Sequence, residues 1–292
     1  MRIAVLGNAG SWYCKDLERA SRARGHEIAR IGYSHLAAVT NRLSSSVFCD
    51  DDDLSNCDAL IVRTMPPGSL EQVVFRMDAL AQLEESGVVV LNPAKTIECA
   101  VDKYLTTSRL QHAGLPVPDT VVCENSEQAL QAFESLGGDV VVKPIFGSEG
   151  RGIVRVSDPD LALRTFRTLA RIQAVLYIQR FIDHEGFDIR ALVFDGRIIG
   201  SMRRRSNDDF RTNVSRSGTA ETYALTESEE SLALQAAGAI GVRFAGIDLL
   251  YGRDGQCYVL EVNAVPGWRA FARVTGQDVA AHVIENLIPT DR

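Results

Sequence analysis

The six cysteines of this chain form no CxxC pair. Neither a zinc site nor a disulfide framework is therefore indicated, and free thiols in a reducing cytoplasm are the expected state. No apolar run approaches the length of a membrane span. The opening Met1-Arg2-Ile3-Ala4-Val5-Leu6-Gly7 is apolar too briefly for a signal peptide. A surplus of positive charge is also missing. The net charge of −7 argues against nonspecific nucleic-acid binding. The P-loop pattern is absent, and Gly7 and Gly10 lack the third glycine and the ribose-binding acid of a dinucleotide fingerprint. No convincing Ser-His-Asp or Cys-His set is present, so no side-chain nucleophile is expected. The run Asp50–Asp53 reads as a solvated loop. No internal repeat and no low-complexity linker divides the chain.

What is present is an ordinary globular composition, 46% hydrophobic and 24% charged over 292 residues. That length exceeds one core, so two or three lobes are expected. The first ninety residues alternate strand and helix, which implies a parallel sheet with helices on both faces. Strands are expected at 3–6, 59–62 and 88–91, with helices at 17–24 and 69–86. Asn92-Pro93 ends this lobe. A helix over 102–112 follows, then strands at 140–143 and 153–156 around a glycine loop, a helix over 159–171 and a strand at 174–179. Asp158-Pro159 starts the second helix with an N-cap and a first-turn proline. Asp195-Gly196 signals a type I′ hairpin between strands 189–194 and 197–202. Thr226-Glu227-Ser228-Glu229 fits a capping box opening a helix over 227–240, and a last helix spans 278–287.

The chemistry concentrates near the end. In Val259-Leu260-Glu261-Val262-Asn263 an apolar strand carries a carboxylate and an amide two residues apart, which places both on one face. Asp248 interrupts the apolar strand 245–251, and residues 252–256 read as the turn between the two. Hairpin pairing would bring Asp248, Glu261 and Asn263 onto one face. Hard oxygen donors of this kind are what Mg²⁺ selects. Taken singly, Asp248 reads equally well as an acid hydrogen-bonded at a strand end. Lys143 ends a buried strand ahead of Phe146-Gly147-Ser148-Glu149-Gly150-Arg151-Gly152. Backbone N–H groups of such a loop cradle phosphates, although an ordinary glycine turn has the same composition. Lys103 by itself reads as a surface lysine. Arg203-Arg204-Arg205, Arg211 and Arg216 make a basic segment suited to carboxylates and phosphates.

In chain order these pieces are Asp102-Lys103, Val142-Lys143-Pro144, Gln179-Arg180-Phe181-Ile182, Gly186-Phe187-Asp188-Ile189-Arg190, Arg203-Arg204, Phe210-Arg211-Thr212-Asn213, Gly246-Ile247-Asp248, and Glu261-Val262-Asn263 with Pro266-Gly267. From about residue 90 to the end the chain resembles the ATP-grasp fold, and within it the RimK-type α-L-glutamate ligases. The resemblance implies an α/β fold of three lobes: a pre-ATP-grasp parallel α/β domain over 1–93, a central lobe over 94–180 and a C-terminal lobe with the metal site over 181–292.

It further implies that Lys103, Lys143, Gly147 and Ser148 hold ATP phosphates, and that Gln179, Arg180, Phe181 and Ile182 line the adenine pocket. Asp188 would contact the ribose. Arg211 and Asn213 would stand near phosphates and metals, with Asp248, Glu261 and Asn263 binding Mg²⁺ or Mn²⁺, two ions per site. Arg203, Arg204 and Arg211 would stand near the reacting groups. The implied reaction is an ATP-dependent, ADP-forming carbon–nitrogen ligation through an acyl phosphate, with L-glutamate as the amine and a small-molecule, cofactor or peptide carboxylate as acceptor. No nucleic acid or membrane partner is expected, and a homo-oligomer fits the family. A different amino-acid or dipeptide ligase, or an ATP-binding regulator without catalysis, stays open. Two departures from the family pattern are Arg180, where an acid is usual, and Val214-Ser215-Arg216-Ser217-Gly218-Thr219, where His-Arg-Gly-Gly or a double glycine is common.

Overall fold

A computed structural model of the chain describes residues 1–147, 150–206, 210 and 218–288. The leading segment contains β1 (Arg2–Leu6), α1 (Trp12–Arg22), β2 (Glu27–Ile31), β3 (Leu36–Thr40), β4 (Ser45–Cys49), β5 (Asp52–Asp53), β6 (Ala59–Val62), α2 (Leu70–Glu85) and β7 (Val89–Leu91). Its main sheet is parallel, in the order β2-β1-β6-β7. Ser69 and Gln72 form the capping box that starts α2.

Two short helices follow, α3 (Ala94–Val101) and α4 (Lys103–His112). The middle of the chain folds as β8 (Thr120–Cys123), α5 (Ser126–Ser135), β9 (Val140–Lys143), β10 (Val154–Val156), α6 (Pro159–Arg171) and β11 (Leu176–Arg180). These strands make an antiparallel sheet in the order β10-β9-β11-β8. Asp158 caps α6 by accepting from the Leu161 amide, with Pro159 in the first turn.

The last part holds β12 (Phe187–Phe194), β13 (Arg197–Arg205), β14 (Thr219–Thr222), α7 (Glu227–Ile240), β15 (Phe244–Tyr251), β16 (Cys257–Asn263), α8 (Arg269–Thr275) and α9 (Val279–Glu285). Its sheet runs β14-β13-β12-β15-β16. The β12–β13 turn has φ of 44° at Asp195 and 70° at Gly196, the two positive values that a type I′ turn requires. The Thr226–Glu229 capping box opens α7.

Several elements were not legible in the sequence. The hairpin β3–β4 and the two-residue β5 form a small antiparallel sheet where alternation of strand and helix was expected. Residues 37–40 are exposed, so no buried face imprints a period of two on them. Asp52 and Asp53 pair with β4 rather than standing wholly in a loop. Helices α3, α5 and α8 were also missed.

Besides the core that packs α2 on the leading sheet, with Leu6, Leu60, Leu80 and Leu83, three large apolar cores organise the described residues. One joins the leading sheet to the end of the chain, with Ile3, Val5 and Leu17 against Phe194, Phe244, Trp268 and Val283. A second packs Ile189, Ile247 and Val262 under α7, and Cys99 and Leu110 of α3 and α4 belong to it. The middle sheet has its own core, with Val140, Val142, Phe166 and Ile178. Burying one side chain such as Phe166 contributes about 1.5–3 kcal/mol. Asn92 joins the leading lobe to the last sheet. Its amide nitrogen donates to the Phe244 and Ala264 carbonyls, each at 2.6 Å. Its oxygen accepts from the Arg243 and Phe244 amides at 2.8 and 2.9 Å, so every bonding position of this buried amide is used. A cleft is left between the separately packed middle sheet and the last sheet.

Candidate active site

The cleft encloses about 900 Å³ counted to its open mouth. One wall comes from β9, β11 and the glycine loop. Lys143 is the last residue of β9, so its stem runs beside the core while its amine reaches the cleft. The amine donates to Oε1 of Gln179 at 2.6 Å. Gln179 in turn donates to Thr120 Oγ1 at 2.9 Å and to the Tyr177 hydroxyl at 3.1 Å. Tyr177 meets Thr107 Oγ1 of α4 at 2.8 Å. This buried network fixes the lysine. Burial pushes the Lys143 amine down to about 8; Glu261 draws it up and Lys103 lowers it further. Lys103, at the start of α4, donates to the Gly147 carbonyl at 2.9 Å and ties α4 to the glycine loop. Its pKa is also lowered by burial, against the opposing pull of Glu261 and then Asp102. Gly150 and Gly152 adopt φ of 68° and 72°, which favours glycine at those two points.

The other wall is the β15–β16 hairpin. Asp248 lies opposite Glu261, and Gly246 opposite Asn263. Just past Asp248 the register shifts, because Leu249 pairs with Val259 and leaves Leu260 as an extra residue. Strict alternation would send Leu260 to the α7 face. The bulge instead turns both Leu260 and Glu261 into the cleft. Leu260 joins Ile182, Leu250 and Tyr258 in a small apolar floor, while Phe181 meets Phe210 edge-on with centroids 6.1 Å apart.

Beside this floor runs a buried chain of alternating charges. Asp188 accepts from Arg204 Nε at 2.6 Å and from its terminal nitrogen at 2.5 Å. Arg204 also reaches Asp248 at 2.9 Å. Arg190 holds both oxygens of Asp248, each at 2.7 Å. Burial raises the Asp248 pKa, but Arg190 and then Arg204 outweigh it and hold the carboxyl below the usual range. Burial lowers that of Arg204, and Asp248 and Asp188 more than reverse it.

Asp248, Glu261 and Asn263 suit a hard divalent ion. The pairing places these oxygen donors on neighbouring strands, and Asn263 Oδ1 is oriented by accepting from the Val265 amide at 2.9 Å. Among the described residues no group of three His, Cys, Asp or Glu is poised around a metal, so the third donor of this set is an amide. Among the described residues the cleft is lined by Lys103, Lys143, Arg151 and Arg180 against Asp188, Asp248 and Glu261, with Arg190 and Arg204 held against Asp248. Such a balance suits a metal that arrives with a polyphosphate.

The sequence-expected residues are distributed unevenly around this cleft. Lys103, Lys143, Gly147, Gln179, Arg180, Phe181, Ile182, Asp188, Asp248 and Glu261 all line it. Ser148, Arg211 and Asn213, with Arg216, lie outside the described residues. Arg203 does not share the face of Arg204, because neighbouring residues of a strand point oppositely. It pairs with Glu221 and lies over Phe187 and Tyr223. Arg203 thus stands apart from Arg204, whose guanidinium is committed to two acids. Asp188 meets Arg204 with both oxygens, so a ribose contact would compete with that pair. Gln179 is committed to Lys143, Thr120 and Tyr177 rather than presented to a base. Arg180 pairs with Asp119 at 3.2 Å. Sequence reasoning gave no role to Arg190, although its place two residues after Asp188 on one strand was a usable signal. It also missed the cleft-facing Leu260, which only the bulge reveals.

With this geometry in place, the comparisons with known proteins agree on one family. Residues 1–97 match the model of the RimK PreATP-grasp domain, and residues 100–287 that of the RimK-like ATP-grasp domain. The chain is 37% identical over 262 residues to the tetrahydromethanopterin:alpha-L-glutamate ligase of Methanosarcina acetivorans, covering 80% of this chain and 81% of that one. It is 31% identical over 288 residues to the ribosomal protein bS6--L-glutamate ligase of Escherichia fergusonii, covering 97% and 94%. The fold matches the ATP-grasp ligase PsnB in complex with a minimal precursor, with a TM-score of 0.77, 22% identity and coverage of 98% and 97%. It also matches a RimK domain ATP-grasp protein from Sphaerobacter thermophilus, with a TM-score of 0.74, 23% identity and coverage of 98% and 99%. The chain is therefore an ATP-grasp ligase and belongs to the RimK-like ATP-grasp family.

Proposed function

We propose that this protein joins an amine, L-glutamate, to a small-molecule or peptide carboxylate, using Mg·ATP and an acyl phosphate. The observation that carries this is the meeting of two walls in one cleft. Lys103 and Lys143 stand on one side, Asp248 and Glu261 on the other, and Glu261 is close enough to act electrostatically on both lysines. Lysines suit the phosphates of a nucleotide, and Leu250, Leu260 and Ile182 offer an apolar bed for its base. Asp248, Glu261 and Asn263 would hold the divalent ion, which supplies charge neutralisation on the transferring phosphoryl group.

A carboxylate resists amines because oxide is a poor leaving group. In the proposed reaction a carboxylate oxygen attacks the terminal phosphorus, and ADP leaves with the electron pair of the broken bond. The amine, having lost its ammonium proton, then attacks the acyl carbon. Inorganic phosphate departs, a second proton is lost from nitrogen, and the amide remains. Lys143 and Lys103 would hold phosphate oxygens through both steps, and the walls orient the partners. Arg204 would act by holding Asp248 and Asp188. The names of the relatives support glutamate as the amine. The unpaired state of all six cysteines agrees with a reducing cytoplasm as the place of action.

The test is an ADP-release screen over pairs of amino acid and carboxylate acceptor, with mass spectrometry of products. Glutamate-dependent ADP and phosphate formation is expected, with one amide bond formed per ADP. AMP as the stoichiometric product would overturn the acyl-phosphate route, and a clear preference for a neutral or basic amino acid would remove glutamate.

A further inference from the structure

Arg63 is a buried cation for which the described residues supply no carboxylate. Only 6% of it is exposed. A terminal nitrogen donates to the Pro266 carbonyl at 2.7 Å. The guanidinium lies 5.0 Å from the centre of the Tyr13 ring and 4.4 Å from that of Trp268. Its Nε has no hydrogen-bond partner. Burial lowers the pKa to about 10, against the pull of Tyr13 and Cys14, so the group stays charged at neutral pH. Taking a charge out of water without an opposite charge is costly. A neutral side chain could hold one carbonyl between two rings at lower cost, so the retained charge asks for an anion.

Its place in the fold points the same way. Arg63 is the residue after β6, and Gly7 is the residue after β1. These strands are neighbours in the order β2-β1-β6-β7. From β1 the chain moves to β2 on one side and later returns to β6 on the other. Ligands of doubly wound sheets lie beyond the carboxyl ends of the strands at that reversal. A Cβ on Gly7 would lie 3.4 Å from the Arg63 Cβ. Across the crevice stands the loop that follows Asn263. A Cβ on Gly267 would sit 2.6 Å from the Tyr13 hydroxyl, and one on Gly246 would sit 3.4 Å from both Pro266 and Arg190. Arg63 thus lies between the crevice of the leading sheet and the strands that carry Asp248, Glu261 and Asn263. Tyr13, the half-buried ring of the pair around it, is the side that meets solvent.

We infer that Arg63 is the receptor for a carboxylate of the substrate that enters from the leading lobe, opposite the nucleotide. The inference rests on the ligase reading above and deepens it. A ligase of this kind must hold a carboxylate that it does not activate, and a planar guanidinium with a spare N–H matches that group. The carboxylate belongs either to the incoming amino acid or to the acceptor.

The experiment follows the Arg63 Nε–H by ¹⁵N NMR in the full-length protein with Mg·ADP. The peak is identified by its loss in Arg63→Lys, or by its nuclear Overhauser contact with Trp268 Nε1–H should that variant fail to fold. L-glutamate and, separately, sodium acetate are titrated. A shift with L-glutamate is expected, and Arg63→Lys should raise the glutamate Kd about ten- to a hundred-fold, with the Mg·ADP Kd changed less than about two-fold. A shift with acetate in a protein that does not bind glutamate would support the receptor, assign its carboxylate to the acceptor and remove glutamate from the proposed function. Glutamate binding that leaves Nε unmoved, with acetate equally without effect, would overturn the receptor while sparing the ligase reading, reducing Arg63 to an anchor for Pro266. Silence of Nε toward both probes would overturn it equally.

Discussion

Arg190 grips Asp248 with two parallel hydrogen bonds, Nε to Oδ1 and a terminal nitrogen to Oδ2, both 2.7 Å long. Both side chains are largely buried. The acid expected to meet a metal is therefore also the hub of a charge chain through Arg204 to Asp188. Removing one partner of such a pair strands the other charge in a poor solvent. Arg190→Met should destabilise the protein by about 3 kcal/mol, since Arg204 remains as a second partner. Arg203→Met, on the opposite face with exposed Glu221, should cost about 0–1 kcal/mol. Urea unfolding of the two variants checks this, and equal losses would contradict the division of the strand into a charged and a peripheral face.

Glu261 lines the cleft, is only half-buried and has no direct ion-pair partner among the described residues. Glu261→Ala should leave stability within about 0.5 kcal/mol but reduce turnover by at least about a hundred-fold, if it holds a divalent ion as proposed. ADP release together with thermal melting separates the two effects. Near-normal turnover would sink the metal assignment.

The lysine amine of Lys143 has a folded-state pKa of about 8, below its ordinary value. From about pH 8 up to the ordinary lysine value near 10.4, the unfolded chain keeps a proton that the folded apoprotein has lost. Stability of the apoprotein should therefore rise with pH across that window through this group. Nucleotide phosphates favour the charged amine, so Mg·ATP-analogue binding should take up a proton above pH 8 and weaken as pH rises. Calorimetry in buffers of different ionisation enthalpy reads the uptake. Lys143→Met should abolish it, and persistence of the uptake in that variant would place the titrating group elsewhere.

The described cations around the cleft outnumber its acids, so the ion should follow the nucleotide. Millimolar Mg²⁺ alone should give no saturable heat, whereas Mg·ADP should bind with release of little or no free metal. Tight binding of Mg²⁺ to the nucleotide-free protein would contradict this balance.

The sequence by itself determined the local structure at many places where one face had to be buried or a terminus had to be capped. The strands of the leading sheet, the Asp195-Gly196 turn and the capped helices α6 and α7 follow from side-chain pattern and backbone sterics, which act over a few residues. Lys143, Asp248, Glu261 and Asn263 were equally legible, because hard donors and cations stand out in apolar strands, whereas Lys103, at a helix start, was singled out only by the resemblance. Tertiary structure decided which of them meet. The exposed strand β3 left no periodic mark. The bulge at Leu260 depends on pairing with β15, and it alone turns that leucine into the cleft. Arg203 and Arg204 look equivalent as letters, but the pleat separates them and hands one to Asp188 and Asp248. Arg63 and Pro266 are distant in the chain and meet only because the last loop folds back on the leading sheet. Pairings of this kind are set by packing between elements, and no window of neighbouring residues encodes them.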